Sequence, residues 1–133
     1  MRDYRRVKSL EQRKILIVED EESLLKLESI LLATRGYRVK GVTDGLSALK
    51  EVETDRPDLV LLDIMMPGID GFEVCRRIKE NALTRDIPVV MLTAKKSSAD
   101  QARGLEVGAE AYITKPFKSG KIVETIEGLL KKG

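Results

Sequence analysis

The chain has 133 residues, with 24 Lys and Arg, 22 Asp and Glu, one Cys, and neither His nor Trp. That length suits one domain with a true core, the 42% apolar content excludes a disordered chain, and the absence of His excludes His-led triads, His metal sites and a phosphohistidine. A lone Cys75 excludes an internal disulfide or a Cys-rich zinc site, which suits a reducing cytosol, and no apolar run nears the roughly 20 residues of a membrane span.

Charge is uneven along the chain. Residues 1–14 carry six basic side chains against Asp3 and Glu11, a net of +4, which leaves −2 for the remainder of a chain whose total is +2. Residues 1–13 read as a solvated, partly disordered basic arm, and residues 14–133 as the folded domain. With Tyr4 as the arm's only aromatic, no direct nucleic-acid contact is expected, and no membrane contact either.

Past the arm, short apolar runs alternate with amphipathic stretches. Ile15-Leu16-Ile17-Val18 has the length and continuity of a strand covered on both faces. Leu24, Leu27 and Leu31, flanked by Leu25 and Leu32, predict a first helix with that stripe inward, stopping at Gly36. Residues 37–42 predict a second strand. Asp44 then caps a helix that buries Ala48, Leu49 and Val52, and Pro57 closes the segment. Leu59 to Leu62 is the third strand, and Phe72, Cys75 and Ile78 mark the third helix after a Pro67-Gly68 turn. Residues 87–92 are the fourth strand, with Pro88 near its start, where a missing N–H is tolerated. The fourth helix, Ser98 to Val107, is the weakest: its apolar side is Ala99, Ala102 and Leu105, and Gly104 in its interior costs about 1 kcal/mol. Residues 111–113 give a fifth strand. Ser119 is placed to cap a last helix burying Ile122, Val123, Ile126, Leu129 and Leu130. Cys75, at helical spacing from Phe72 and Ile78, reads as core packing.

Five strand–helix units predict an α/β domain: a doubly wound parallel sheet with helices on both faces. In such sheets chemistry sits beyond the carboxyl ends of the strands. The first strand ends in Glu19-Asp20, the third in Asp63 and the fourth in Thr93-Ala94, and Lys115-Pro116-Phe117 follows the fifth. Three carboxylates on one rim repel one another and need a cation or a proton. An oxygen-only cluster suits a hard ion, Mg²⁺ first. Metal, ammonium and hydroxyl around a carboxylate are what phosphoryl transfer requires, with Asp63 as the nucleophile.

Glu19-Asp20, Asp63-Ile64-Met65-Met66-Pro67-Gly68, Thr93-Ala94 and Lys115-Pro116-Phe117 together resemble the signature of two-component response-regulator receiver domains, over about residues 14–131. Each motif alone has an ordinary structural explanation; four in order at strand ends do not share one. The resemblance implies a flavodoxin-like, CheY-like fold: five parallel strands in the order 2-1-3-4-5, flanked by five helices. It implies that Asp63 takes a phosphoryl group from a sensor histidine kinase or phosphotransfer protein. Asp20 would bind Mg²⁺ directly, Glu19 through water, and Met65 through its backbone carbonyl, with Asp63 completing the set. Thr93 and Lys115 would hold phosphoryl oxygens, Tyr112 would be the switch aromatic that follows Thr93, and Lys115-Pro116 would be a cis bond. Met65 and Lys95 would flank the path of a hydrolytic water. The implied protein is a cytoplasmic switch, not an enzyme with an external substrate. Its output is binding, through the face of the fourth helix, fifth strand and fifth helix, to a downstream protein, an effector domain or a second copy in a homodimer. The rival reading is an aspartate-nucleophile phosphatase for small phosphoesters. It wants a second acid two residues after the nucleophile, where this chain has Met65.

Overall fold

The computed structural model describes residues 13–93, 98–115 and 118–132. The expected residues Ala94, Lys95, Pro116 and Phe117, and the arm before Arg13, lie outside them. The elements in chain order are β1 (Lys14–Val18), α1 (Glu22–Ala33), β2 (Arg38–Val42), α2 (Gly45–Thr54), β3 (Leu59–Asp63), α3 (Gly71–Glu80), β4 (Val89–Thr93), α4 (Ser98–Glu106), β5 (Ala111–Thr114) and α5 (Ser119–Lys132). All strand pairs are parallel, in the order β2-β1-β3-β4-β5.

Side chains alternate across the sheet as a two-residue period demands. On β1, Leu16 and Val18 join a layer built with Ala48 and Val52 of α2 and Phe72, Cys75 and Ile78 of α3. Ile15 and Ile17 face the opposite layer, with Leu32 of α1 and Ile122, Ile126 and Leu130 of α5. The three central strands are buried at every position. That is why they read as unbroken apolar runs, whereas edge strand β2 does not. Asp44 and Asp70 cap α2 and α3, accepting backbone N–H bonds from Ser47 and Glu73 at 2.8 and 3.0 Å. Arg13 is tied to the fold: its carbonyl accepts from the Arg38 amide, and its guanidinium donates to the Leu130 carbonyl at 2.9 Å.

Two helix faces differ from the expected ones. On α1, Leu27 is 58% exposed, while Glu28 is fully buried and sits between half-buried Leu25 and buried Leu32. Leucine and isoleucine surround this helix on most sides, so periodicity admits two inward stripes. The stripe that faces inward is the one that contains a carboxylate. On α4, Ala102 and Leu105 face solvent and Gly104 is buried. The reason is close approach. A Cβ at Gly104 would lie 3.2 Å from the Tyr112 ring and 3.5 Å from the Met91 sulfur, so glycine lets the helix backbone sit directly against the ring. Arg103 adds a cation–π contact, 4.3 Å from the centre of the Phe72 ring. Ser119 is the first residue of α5 rather than the residue before it, and β4 starts at Val89, because Pro88 serves as an acceptor for the Val60 amide instead of a ladder donor.

Candidate functional site at the strand ends

The parallel register brings the carboxyl ends of β1, β3, β4 and β5 to one rim. Val18 lies opposite Leu62, Asp63 opposite Leu92, and Thr93 opposite Thr114. Glu19, Asp63 and Thr93 are buried there, Asp20 is exposed, and Lys115 reaches in half-buried. Glu19 is held by its backbone N–H on the Val42 carbonyl at 3.0 Å, and its carboxylate accepts from the Glu21 amide at 3.3 Å. The Lys115 ammonium donates to Glu19 Oε1 at 3.2 Å and lies 3.6 Å from Asp63 Oδ1. The Met65 amide donates to that same Asp63 oxygen at 3.2 Å, and the Met65 side chain is 63% exposed beside it.

Behind Asp63 the backbone is packed without slack. A Cβ on Gly71 would fall 2.5 Å from the Asp63 carbonyl oxygen. The Gly71 amide donates to the Ile64 carbonyl at 2.9 Å, and the Ile64 amide to the Leu92 carbonyl at 3.0 Å. Glycine is therefore required where α3 starts, and the aspartate is fixed by main chain on both sides. Gly71 carries no chemical signature, so composition and spacing gave no reason to single it out.

Electrostatics follow from three acids facing one lysine. Burial raises the Asp63 pKa to about 7, with the neighbouring Glu19 carboxylate adding to the effect and Lys115 and the Met65 amide opposing it. Burial works against the Lys115 charge, yet Asp63 and Glu19 together hold its pKa above the ordinary lysine value. One oxygen each of Glu19, Asp20 and Asp63 lie within 4.8 Å of one another. An all-oxygen set with an excess of negative charge fits a hard divalent cation such as Mg²⁺, which usually takes one or two carboxylates and keeps several waters. Tyr112, the expected switch residue, is half-buried on β5 with its ring against α4 at Gly104.

One acid near the site was not anticipated. Glu28 is 0% exposed, neither side-chain oxygen has a hydrogen-bond partner, and burial raises its pKa to about 8, with Glu19 the next contributor. Cys75 behaves as expected of core packing: it is buried, its thiol reaches the Val107 carbonyl at 3.6 Å, and burial lifts its pKa to about 11.

Comparison with known families matches residues 15–127 to the response regulator receiver domain. The chain belongs to that family. It is 42% identical over 120 residues to the alkaline phosphatase synthesis transcriptional regulatory protein PhoP of Bacillus subtilis, covering 90% of this chain and 49% of that protein. It is also 42% identical over 119 residues to the sensory transduction protein RegX3 of Mycolicibacterium smegmatis, covering 90% and 51%. The chain thus spans about half the length of these regulators. Among solved structures, a CheY-like response regulator receiver domain protein from Methanospirillum hungatei superposes with a TM-score of 0.86 at 28% identity, covering 91% of this chain and 95% of that one. The receiver domain of a signal transduction histidine kinase from Syntrophus aciditrophicus gives 0.85 at 36%, covering 90% and 91%. The fold class and strand order expected from the resemblance are those observed. The phosphatase reading finds no support in these matches. No described helix is long and apolar enough to cross a membrane.

Proposed function

We propose that Asp63 is the phosphoacceptor of this receiver domain. Its carboxylate attacks the phosphorus of a phosphohistidine on a sensor histidine kinase or phosphotransfer protein. A P–O bond forms, the P–N bond breaks, and the imidazole leaves with its electron pair. The observation that supports this most directly is the pairing of a nearly buried carboxylate at the end of β3 with an ammonium 3.6 Å away, beside two further acids able to share one cation. Asp20, Glu19 and Asp63, with the Met65 carbonyl, would hold Mg²⁺, which supplies charge neutralisation to the transferring group. Lys115 neutralises a second phosphoryl oxygen, and the Thr93 hydroxyl donates to a third.

Phosphorylation takes Asp63 from one negative charge to about two and adds strong acceptors. Thr93 and Lys115 are drawn in, and Tyr112 follows the space that Thr93 vacates. Moving a two-state equilibrium from 1:99 to 99:1 takes about 5.5 kcal/mol, within reach of a few charge-assisted hydrogen bonds at about 1.5–3 kcal/mol each. The readout is altered binding at the face of α4, β5 and α5, to a downstream protein, to an effector domain in a longer regulator, or to a second copy. The domain promotes only its own phosphorylation and dephosphorylation, in the cytoplasm where the kinase's transmitter would meet it. Intact mass after incubation with acetyl phosphate tests the reading. A Mg²⁺-dependent phosphoryl adduct absent from Asp63→Ala is expected, and no adduct under any condition would sink it.

A further inference from the structure

Glu28 is the outlier of the molecule. It occupies an inward position of α1, between Leu25 and Leu32, that an aliphatic residue would fill at lower free-energy cost, because a buried polar group without a partner is destabilising by several kcal/mol in the worst case. Helical side chains lean toward the N-terminus of their helix. α1 starts two residues after Asp20, so Glu28 leans toward the acidic rim. The charges that bear on it are Glu19, Lys115, Asp63 and Glu21, and Lys115 is the one cation among them. It is not one of the three acids whose oxygens lie within 4.8 Å of one another.

Lys115 explains what such a group is for. Its ammonium rests on Glu19 and beside Asp63, the same two carboxylates that a divalent cation must claim. With Glu19 and Asp63 engaged by a cation, the half-buried ammonium would lose part of its present acceptors and gain from another close by. Glu28 offers two side-chain oxygens with no hydrogen-bond partner, and its carboxyl accepts an N–H whether protonated or ionised. We propose that Glu28 is a positioning residue for Lys115: a buried acceptor that receives part of its ammonium when a divalent cation takes Glu19 and Asp63, keeping the lysine poised for the phosphoryl group. This rests on the receiver reading above and adds to it a residue in α1, away from the strand ends.

The test is a Mg²⁺ titration of the whole chain by calorimetry, with thermal melting of the metal-free protein beside it. Glu28→Leu is expected to melt higher without metal, since an unpartnered polar group is gone, and yet to bind Mg²⁺ about tenfold more weakly, the scale of one lost charge-assisted hydrogen bond. Glu28→Gln keeps a carbonyl acceptor and is expected to lose less. In a Lys115→Met background the Glu28→Leu effect on Mg²⁺ should vanish, because nothing is left to position. Wild-type Mg²⁺ affinity in Glu28→Leu overturns the proposal, and so does an effect that persists without Lys115, which would mark Glu28 as acting by charge alone. Failure of the wild type to bind Mg²⁺ is a separate result, and it removes the metal reading of the site itself.

Discussion

The two ends of the sheet each hold a lysine among acids, and they are built to opposite purposes. At the amino ends, Lys14 is 3% exposed, and its ammonium meets Glu51 at 2.5 Å, the Asp55 carboxylate at 3.1 Å and the Asp55 carbonyl at 2.6 Å. Its backbone N–H donates to Asp58 at 2.8 Å. There the acids are partly exposed, the donors are used, and the hydrogen bond to Lys14 lowers the Asp55 pKa. At the carboxyl ends, Lys115 faces Glu19, Asp20 and Asp63, and burial raises the Asp63 pKa instead. A lowered carboxylate pKa marks a bridge that is complete. The raised one marks a carboxylate buried beside a second acid, and groups perturbed in this way gather where chemistry is done.

Exchanging the roles of the two lysines is the sharpest way to break this contrast. Asp63→Asn should abolish the phosphoryl adduct outright. Lys115→Met should slow phosphoryl uptake by about 10²-fold, the scale of one lost electrostatic donor, with little change in denaturant midpoint. Lys14→Met should do the reverse. It removes the donor shared by partly exposed Glu51 and the Asp55 carbonyl and should cost about 1–2 kcal/mol in urea unfolding, with acetyl phosphate uptake unaltered. If Lys14→Met slowed uptake as much as Lys115→Met, the two ends would not be separable in function.

A smaller effect sharpens the same point through pH. Asp63 has a folded pKa near 7 against an ordinary value of 3.8. Below the ordinary value it is protonated both folded and unfolded and costs nothing. As pH rises toward 7 the unfolded chain ionises first, so the folded state is progressively disfavoured, and above 7 the penalty is complete. Asp63→Asn should therefore gain stability over wild type as pH climbs from about 4 to 7, as measured by thermal melting without metal. Saturating Mg²⁺ should narrow the gap, because ligand binding stabilises only the folded wild-type site. A gap independent of pH would show that Asp63 is not the group held neutral.

What the sequence disclosed and what it hid have physical causes. Central strands buried on both faces are apolar along nearly all their length, so β1, β3 and β4 announced themselves, and with them the polar residues at their ends. Glu19, Asp63, Thr93 and Lys115 were legible because the rule that places sites at strand carboxyl ends selects positions before it weighs chemistry. Glu28 was not, because a charged residue on a leucine-rich helix is read as solvent-facing unless the connection fixing the helix's rotation is known. Lys14 was hidden for the same kind of reason: it adjoins the arm and reads as one of its cations, whereas the acids that bury it come from residues 51 and 55, over thirty positions away. Gly71 was invisible because its function is the space it leaves for the Asp63 carbonyl.

The smallest predicted effect concerns α4. Gly104→Ala should bring two opposed terms of similar size. The helix gains about 1 kcal/mol from relief of the glycine's conformational freedom. Against it stands a methyl 3.2 Å from the Tyr112 ring and 3.5 Å from the Met91 sulfur, which the neighbours must yield to accommodate. Net stability should stay within about 1 kcal/mol of wild type, with the ring expected to give by a few tenths of an ångström. Since Tyr112 and Thr93 lie on adjacent strands, two residues apart in register, displacement of the ring should reach the proposed phosphoryl site without touching any of its groups. The ring resonances of Tyr112 should therefore shift in the unphosphorylated variant, and the further shift on phosphorylation should shrink. Unchanged ring resonances would mean that α4 retreats as a unit and that Gly104 sets the helix's distance from the sheet without setting the aromatic's position.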